Sequence, residues 1–174
     1  MSDERVSRRR ALAVLGAGCA AATGAAIASA RVVVAPLAHG AKGPTWIPVG
    51  RVGDLPEGAP RRVNLVADEH EGFVTRKASV LGMVYLLRKG DKVTALSATC
   101  PHLGCAVDIA PDGGQFFCPC HTSFFALDGS IQPGKPNKAR RGMDPLQVRV
   151  LADKTVEVEF VRYHLGRATR EAIG

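Results

Sequence analysis

An all-β fold, an antiparallel sandwich or small barrel preceded by one N-terminal membrane helix, is what this sequence predicts, on three observations. From Trp46 onward, short apolar runs alternate with polar residues at period two, as in Thr155-Val-Glu-Val-Glu-Phe160. Nineteen glycines and eleven prolines in 174 residues cut those runs short. Ahead of them, Ala11 to Ala30 is an uncharged run of twenty residues. At helical rise it covers about 30 Å, enough for one span.

At the N-terminus, residues 1–10 end in Ser7-Arg-Arg-Arg10 and lead into Ala11-Leu12, which resembles a twin-arginine export signal. The alternative is a basic cap that orients an ordinary membrane helix. Either way the N-terminus stays inside and the body lies outside. Small residues at Ala26-Ile-Ala28 and Ala28-Ser-Ala30 offer cleavage sites, but retention of 11–37 as an anchor is the favoured reading. Cys19, inside that run, reads as a small buried thiol. Residues 38–45, with His39-Gly-Ala-Lys-Gly-Pro44, have linker composition.

The body, residues 46–174, contains candidate strands at 46–52, 62–66, 80–88, 93–97, 147–151 and 155–161. Arg88-Lys-Gly-Asp-Lys92 and Ala152-Asp-Lys154 read as hairpin turns. One apolar face per strand argues for antiparallel sheets. The formal charge of +7 is concentrated at the front: the first forty residues hold five basic and two acidic side chains, leaving eighteen and fourteen for the rest. No interleaving of aromatic and basic residues points to nucleic acid. No Ser/His/Asp set and no phosphate loop is evident, and His39, His70 and His164 read as surface positions.

Chemistry concentrates in residues 100–125. Cys100-Pro-His-Leu-Gly-Cys105 is followed, twelve residues later, by Cys118-Pro-Cys-His-Thr-Ser-Phe-Phe125. Thiolate and imidazole are the ligands that iron, zinc and copper favour, so the first reading is a metal site. The ligands fall in two loops, Cys-x-His and Cys-x-x-His, each with one further cysteine. Six candidates are too many for one tetrahedral metal.

These two boxes resemble those of the Rieske 2Fe-2S iron-sulfur proteins, in particular the cytochrome bc-type, quinol:cytochrome c oxidoreductase branch, over residues 46–160. The resemblance implies a Rieske-type antiparallel β-sandwich with a cluster-binding subdomain at 100–125. It implies Cys100 and Cys118 as thiolate ligands, His102 and His121 as imidazole ligands, and a disulfide between Cys105 and Cys120. Ser123 matches the serine that hydrogen-bonds a cluster sulfide, and His121 the histidine that meets quinol. Phe125 stands where high-potential members have a tyrosine, and Thr122 replaces the usual glycine. The proline-rich cover loop is shifted, with prolines at Pro133 and Pro136, and Leu103 reads as apolar cover on the other side.

Mixed ligation has its own logic. Two thiolates and two neutral imidazoles leave the oxidised cluster uncharged, raising its potential to roughly −150 to +300 mV, against about −400 mV for all-cysteine plant-type clusters. Without a hydroxyl at Phe125, a potential below that of tyrosine-bearing relatives is expected, as would suit menaquinol.

The implied function is an electron-transfer subunit that takes one electron and a proton from quinol and passes the electron to a c-type cytochrome. Its partners would be a cytochrome b-type membrane subunit and the membrane, with the cluster domain on the outer side of the cytoplasmic membrane. The alternative is the Rieske small subunit of an exported molybdenum oxidoreductase similar to arsenite oxidase, which Cys100-Pro-His102 also suits. A ferredoxin serving an oxygenase and a zinc-stapled module are weaker fits. The first lacks the disulfide pair, and the second leaves two cysteines over.

Overall fold

Period-two alternation produces strands here, and the computed structural model, which describes residues 45–173, arranges ten of them in three antiparallel sheets. In the first sheet β1 (Thr45–Arg51) pairs with β10 (Thr155–Phe160), and β10 with β9 (Val148–Val150). The second runs β2 (Arg61–Glu71), β3 (Val74–Lys89), β4 (Lys92–Ser97), β8 (Pro145–Leu146). A small third sheet holds β5 (Asp108–Ile109), β6 (Gln115–Cys118) and β7 (Ser123–Ala126).

The second sheet has a core on each face. Val84, Leu86, Val93, Ala95 and Leu146 join Ile47, Leu65, Val156 and Val158 in an aliphatic core shared with the first sheet. Tyr85 and Leu96, pointing the other way, join Phe116, Phe125, Cys100, Cys118 and Met143 in a core of rings and sulfur. This explains the unbroken buried run Val84-Tyr-Leu-Leu87, where one apolar face was expected. Both faces of a covered strand are apolar.

Other expectations shift with the pairing. The expected strands 62–66 and 80–88 belong to one longer hairpin, whose far part (Val66, Val74, Val80 and the turn residue Phe73) stands exposed. Ladder bonds carry it, which explains why its outer half lacks apolar alternation. The expected strand 147–151 is present as β9, trimmed by one residue at each end; just before it Leu146 pairs with β4 while Val148 pairs with β10, so the chain changes sheets at Gln147. Val150, expected on an apolar face, is 40 % exposed at the end of the edge strand β9.

Among the described residues there is no α-helix, and no helix is long and apolar enough to cross a membrane. The expected anchor at 11–37, the arginine segment, Cys19, His39 and the linker up to residue 44 lie outside the described residues.

Candidate metal centre

The first loop leaves the central sheet through Ala98, whose N–H donates to the Met83 carbonyl. It closes on itself through two backbone bonds, Cys100 N–H to Cys105 O at 2.7 Å and Gly104 N–H to Cys100 O at 2.9 Å. Gly104 has φ +83°, a left-handed turn that glycine adopts at no steric cost. The second loop, residues 119–122, is the tip of the β6–β7 hairpin, where Cys118 pairs with Ser123. Its left-handed position falls on Thr122, at φ +53°. A β-branched residue there is strained.

A Cys105–Cys120 disulfide joins the two loops. The Sγ atoms of Cys105, Cys118 and Cys120 lie within 4.8 Å of one another, so the cross-link runs beside Cys118. Cys100 and Cys118 are left as free, buried thiols. Their sulfurs are hydrogen-bonded to each other, and the backbone amides of His102 and Leu103 also point at Cys100. Burial pushes the Cys100 thiol up to about 11, the adjacent Cys118 sulfur adds to the rise, and the two amides oppose it. Such a thiol keeps its proton until a cation replaces it, and the amides then stabilise the thiolate.

On the solvent side the His102 and His121 rings meet edge to face, centroids 4.8 Å apart. His102 is half-buried and His121 exposed. The loops thus bring together two sheltered sulfurs and two imidazoles at the rim. This donor set fits a pair of irons in which sulfur serves the buried one and nitrogen the outer one.

Around this set, Ser123 is 1 % exposed and its Oγ accepts the Lys138 N–H at 3.1 Å, leaving its own hydrogen free to donate. The cover loop is further tied by Asn137 Nδ2, which donates to the Phe124 carbonyl at 2.8 Å. Phe125 is fully buried beneath the loops, and Leu103 is 60 % exposed at the tip, not in the core.

Two supports escaped the sequence reading. The Tyr85 hydroxyl donates to the Val107 carbonyl at 2.9 Å, and its ring lies 4.7 Å from that of Phe116, pinning the exit of the first loop to β6. The C-terminal segment also reaches the site. Gly166 N–H donates to the Pro101 carbonyl at 2.9 Å, and Leu165 packs against Gly104. Buried Arg141 holds that segment, donating to the carbonyls of His164 (3.0 Å) and Arg167 (2.7 Å) while pairing with buried Asp144 through two 2.8 Å bonds. Arg170 adds a 3.0 Å bond to Asp144. His164, expected at the surface, is therefore half-buried, whereas His70 is exposed as expected. Bonds from Arg141 and Arg170 that span more than twenty residues give no periodic signal.

A family model described as the Rieske 2Fe-2S domain matches residues 45–154. The menaquinol:cytochrome c reductase iron-sulfur subunit of Geobacillus thermodenitrificans is 32 % identical over 146 residues, covering 80 % of this chain and 85 % of the relative. The cytochrome b6-f complex iron-sulfur subunit of Chlorobaculum thiosulfatiphilum is 31 % identical over 101 residues, 58 % of this chain and 48 % of the relative. Among solved structures, the plasma membrane Rieske protein of Synechocystis superposes with a TM-score of 0.45 at 23 % identity, over 66 % of this chain and 99 % of that one.

Proposed function

The chain belongs to the Rieske 2Fe-2S domain family, and from that premise we propose that it is the electron-transfer subunit of a membrane quinol:cytochrome c oxidoreductase. Cys100, Cys118, His102 and His121 would hold the cluster. The observation that carries this reading is the division of the site: buried, paired thiols on one side, exposed imidazole on the other, and a disulfide fixing both loops.

When bound, the cluster supplies one-electron transfer at a potential raised by its imidazole ligands. The chain's own groups do the rest. The outer ring nitrogen of exposed His121 accepts a hydrogen bond from the quinol hydroxyl and holds the proton released with the electron. Cys100, Cys118 and Phe125 keep water from the sulfur side. Ser123, whose hydroxyl hydrogen is free, would donate toward a cluster sulfide and so favour the extra electron. Phe125 offers no such donor, which supports a potential suited to menaquinol, the substrate in the name of the Geobacillus relative. Residues 1–37 would anchor the domain outside the cytoplasmic membrane beside a cytochrome b-type subunit, with 38–45 as the hinge that lets it reach a c-type cytochrome.

Metal analysis, low-temperature electron paramagnetic resonance of the reduced protein and a redox titration against pH test this. Two irons per chain are expected, with a midpoint that falls by about 59 mV per pH unit on the alkaline side, one proton per electron. Zinc in place of iron, or a midpoint flat from neutral to alkaline pH, would remove the proposal.

A further inference from the structure

Between Asp128 and Asp144 the chain carries four cations, Lys135, Lys138, Arg140 and Arg141, and no carboxylate. The ligand loops beside them, residues 99–107 and 118–127, contain no aspartate, glutamate, lysine or arginine. Arg141 is spent on buried Asp144. Lys135, Lys138 and Arg140 are exposed, and none forms an ion pair among the described residues.

Contacts place two of the three beside the second ligand loop. The Lys138 N–H holds Ser123 Oγ, and Lys135 Nζ lies 4.9 Å above the Phe124 ring. That ring stacks on Phe117 at 4.8 Å, one residue before Cys118. The carboxylates nearest along these connections are already engaged. Asp108, across the ladder from Phe117, pairs with Arg62 at 3.0 Å, and Asp128 accepts both the N–H and the hydroxyl of Ser130. On the side of the 128–144 segment, the uncharged ligand loops are therefore flanked by cations alone.

We propose that Lys135, Lys138 and Arg140 are the docking rim for the electron acceptor, and that this acceptor is a c-type cytochrome with carboxylates around its exposed haem edge. The inference rests on the electron-transfer reading above and adds the sign of the partner. A protein occupant is favoured over a lipid surface because residues 132–142 carry no aromatic or large aliphatic side chain, and the one beside them, Ile131, is only 37 % exposed. Segments that lie on bilayers combine cations with such groups. Rim charges act on encounter: complementary fields raise association rates by about 10- to 1,000-fold, and salt erases the gain.

The test uses the full-length, cluster-loaded protein, reduced and mixed by stopped flow with two c-type cytochromes, one with an acidic and one with a lysine-rich haem edge. Midpoints are measured in parallel so that driving forces can be matched. With the acidic partner the second-order rate should fall about tenfold or more between about 0.01 M and about 0.15 M salt. The triple variant K135E/K138E/R140E should lower the low-salt rate by a similar factor and reverse the preference between the two cytochromes. The pair K77E/K154E, on the β2–β3 hairpin and in the turn before β10, should change it less than about twofold. Salt-independent transfer, or a triple variant as fast as the unaltered protein, overturns the inference and leaves the electron-transfer reading standing. So does a triple variant that keeps its rate but no longer floats with phosphatidylglycerol vesicles, which would assign the rim to lipid. A protein without the reduced-cluster signal, or one that reduces neither cytochrome, overturns both.

Discussion

The two cores on either side of the β2-β3-β4-β8 sheet share strands and are held by different physics. The aliphatic core gathers eleven buried residues from six strands and the turn after β1, and its stability is the non-directional burial of side chains worth about 1.5–3 kcal/mol each. The core beneath the ligand loops depends on directed contacts: a disulfide, a tyrosine hydroxyl on a carbonyl, a buried guanidinium on a carboxylate, and turns at left-handed positions. Burial alone gives the first core strength without fixing any one atom. A metal site needs atoms fixed to fractions of an ångström, and directed bonds provide that, so its supports should be less replaceable one by one.

Arg141→Ala should have the largest effect. It takes two hydrogen bonds from Asp144, which is 4 % exposed, and frees the carbonyls of His164 and Arg167. Removing one partner of a buried pair costs about 3–5 kcal/mol, and because Arg170 still bonds Asp144 the loss should fall at the lower end of that range. Urea unfolding should report that loss, and hydrogen exchange should show the Gly166 amide losing protection as the C-terminal segment leaves Pro101. If unfolding shifts but Gly166 stays protected, the segment is not held through Arg141.

Leu65→Ala tests the other core. Leu65 is 1 % exposed in the aliphatic cluster, and truncation should cost about 2–5 kcal/mol. The prediction that sharpens the comparison is what should not move. The paramagnetic signal and midpoint of the folded fraction should match the unaltered protein, because Leu65 belongs to the aliphatic cluster and not to the one beneath the ligand loops. A shifted midpoint would mean that the two cores are mechanically coupled through the shared sheet.

Ser123→Ala should cost less in stability and more in chemistry. It leaves the Lys138 N–H without its acceptor, a loss of about 0.5–1.5 kcal/mol for a part-buried bond, and withdraws a buried hydroxyl whose own hydrogen is free to donate. The midpoint should fall, with Ser123→Thr restoring most of it. An unchanged midpoint would leave Ser123 as a tie between loops only.

What was legible in the sequence divides along the same line. Trp46, Val93 and Thr155 begin runs whose alternation shows because one face meets water, and each of the six expected strands matches to within a residue at both ends or lies wholly inside a longer one. The candidate ligands stood out in the sequence because metal chemistry constrains both the type and the spacing of such residues. Hidden were Tyr85, lost in a run apolar on both faces, and the strands β5–β7, which are two to four residues long and overlap the ligand motif. Hidden too was Arg141–Asp144, since charged residues read as surface until the fold closes over them. The sheet change at Gln147 had no local signal either: a strand that switches partners looks like one strand.

Thr122→Gly should give the smallest effect and the opposite sign. Thr122 sits at φ +53° in the tip between His121 and Ser123, and the left-handed region costs a side chain bearing a Cβ about 1–2 kcal/mol. Glycine removes that cost but gives back about 0.5–1 kcal/mol through the greater freedom of its unfolded chain. The expected balance is a gain of up to about 1 kcal/mol in urea unfolding, with no change in midpoint, because the hairpin already adopts the geometry that glycine prefers. A loss of stability would show that the exposed threonine side chain makes a compensating contact at the tip. A changed midpoint would show that strain at this residue sets the angle at which His121 meets the metal, and would add a tuned joint to the rigid end of the molecule.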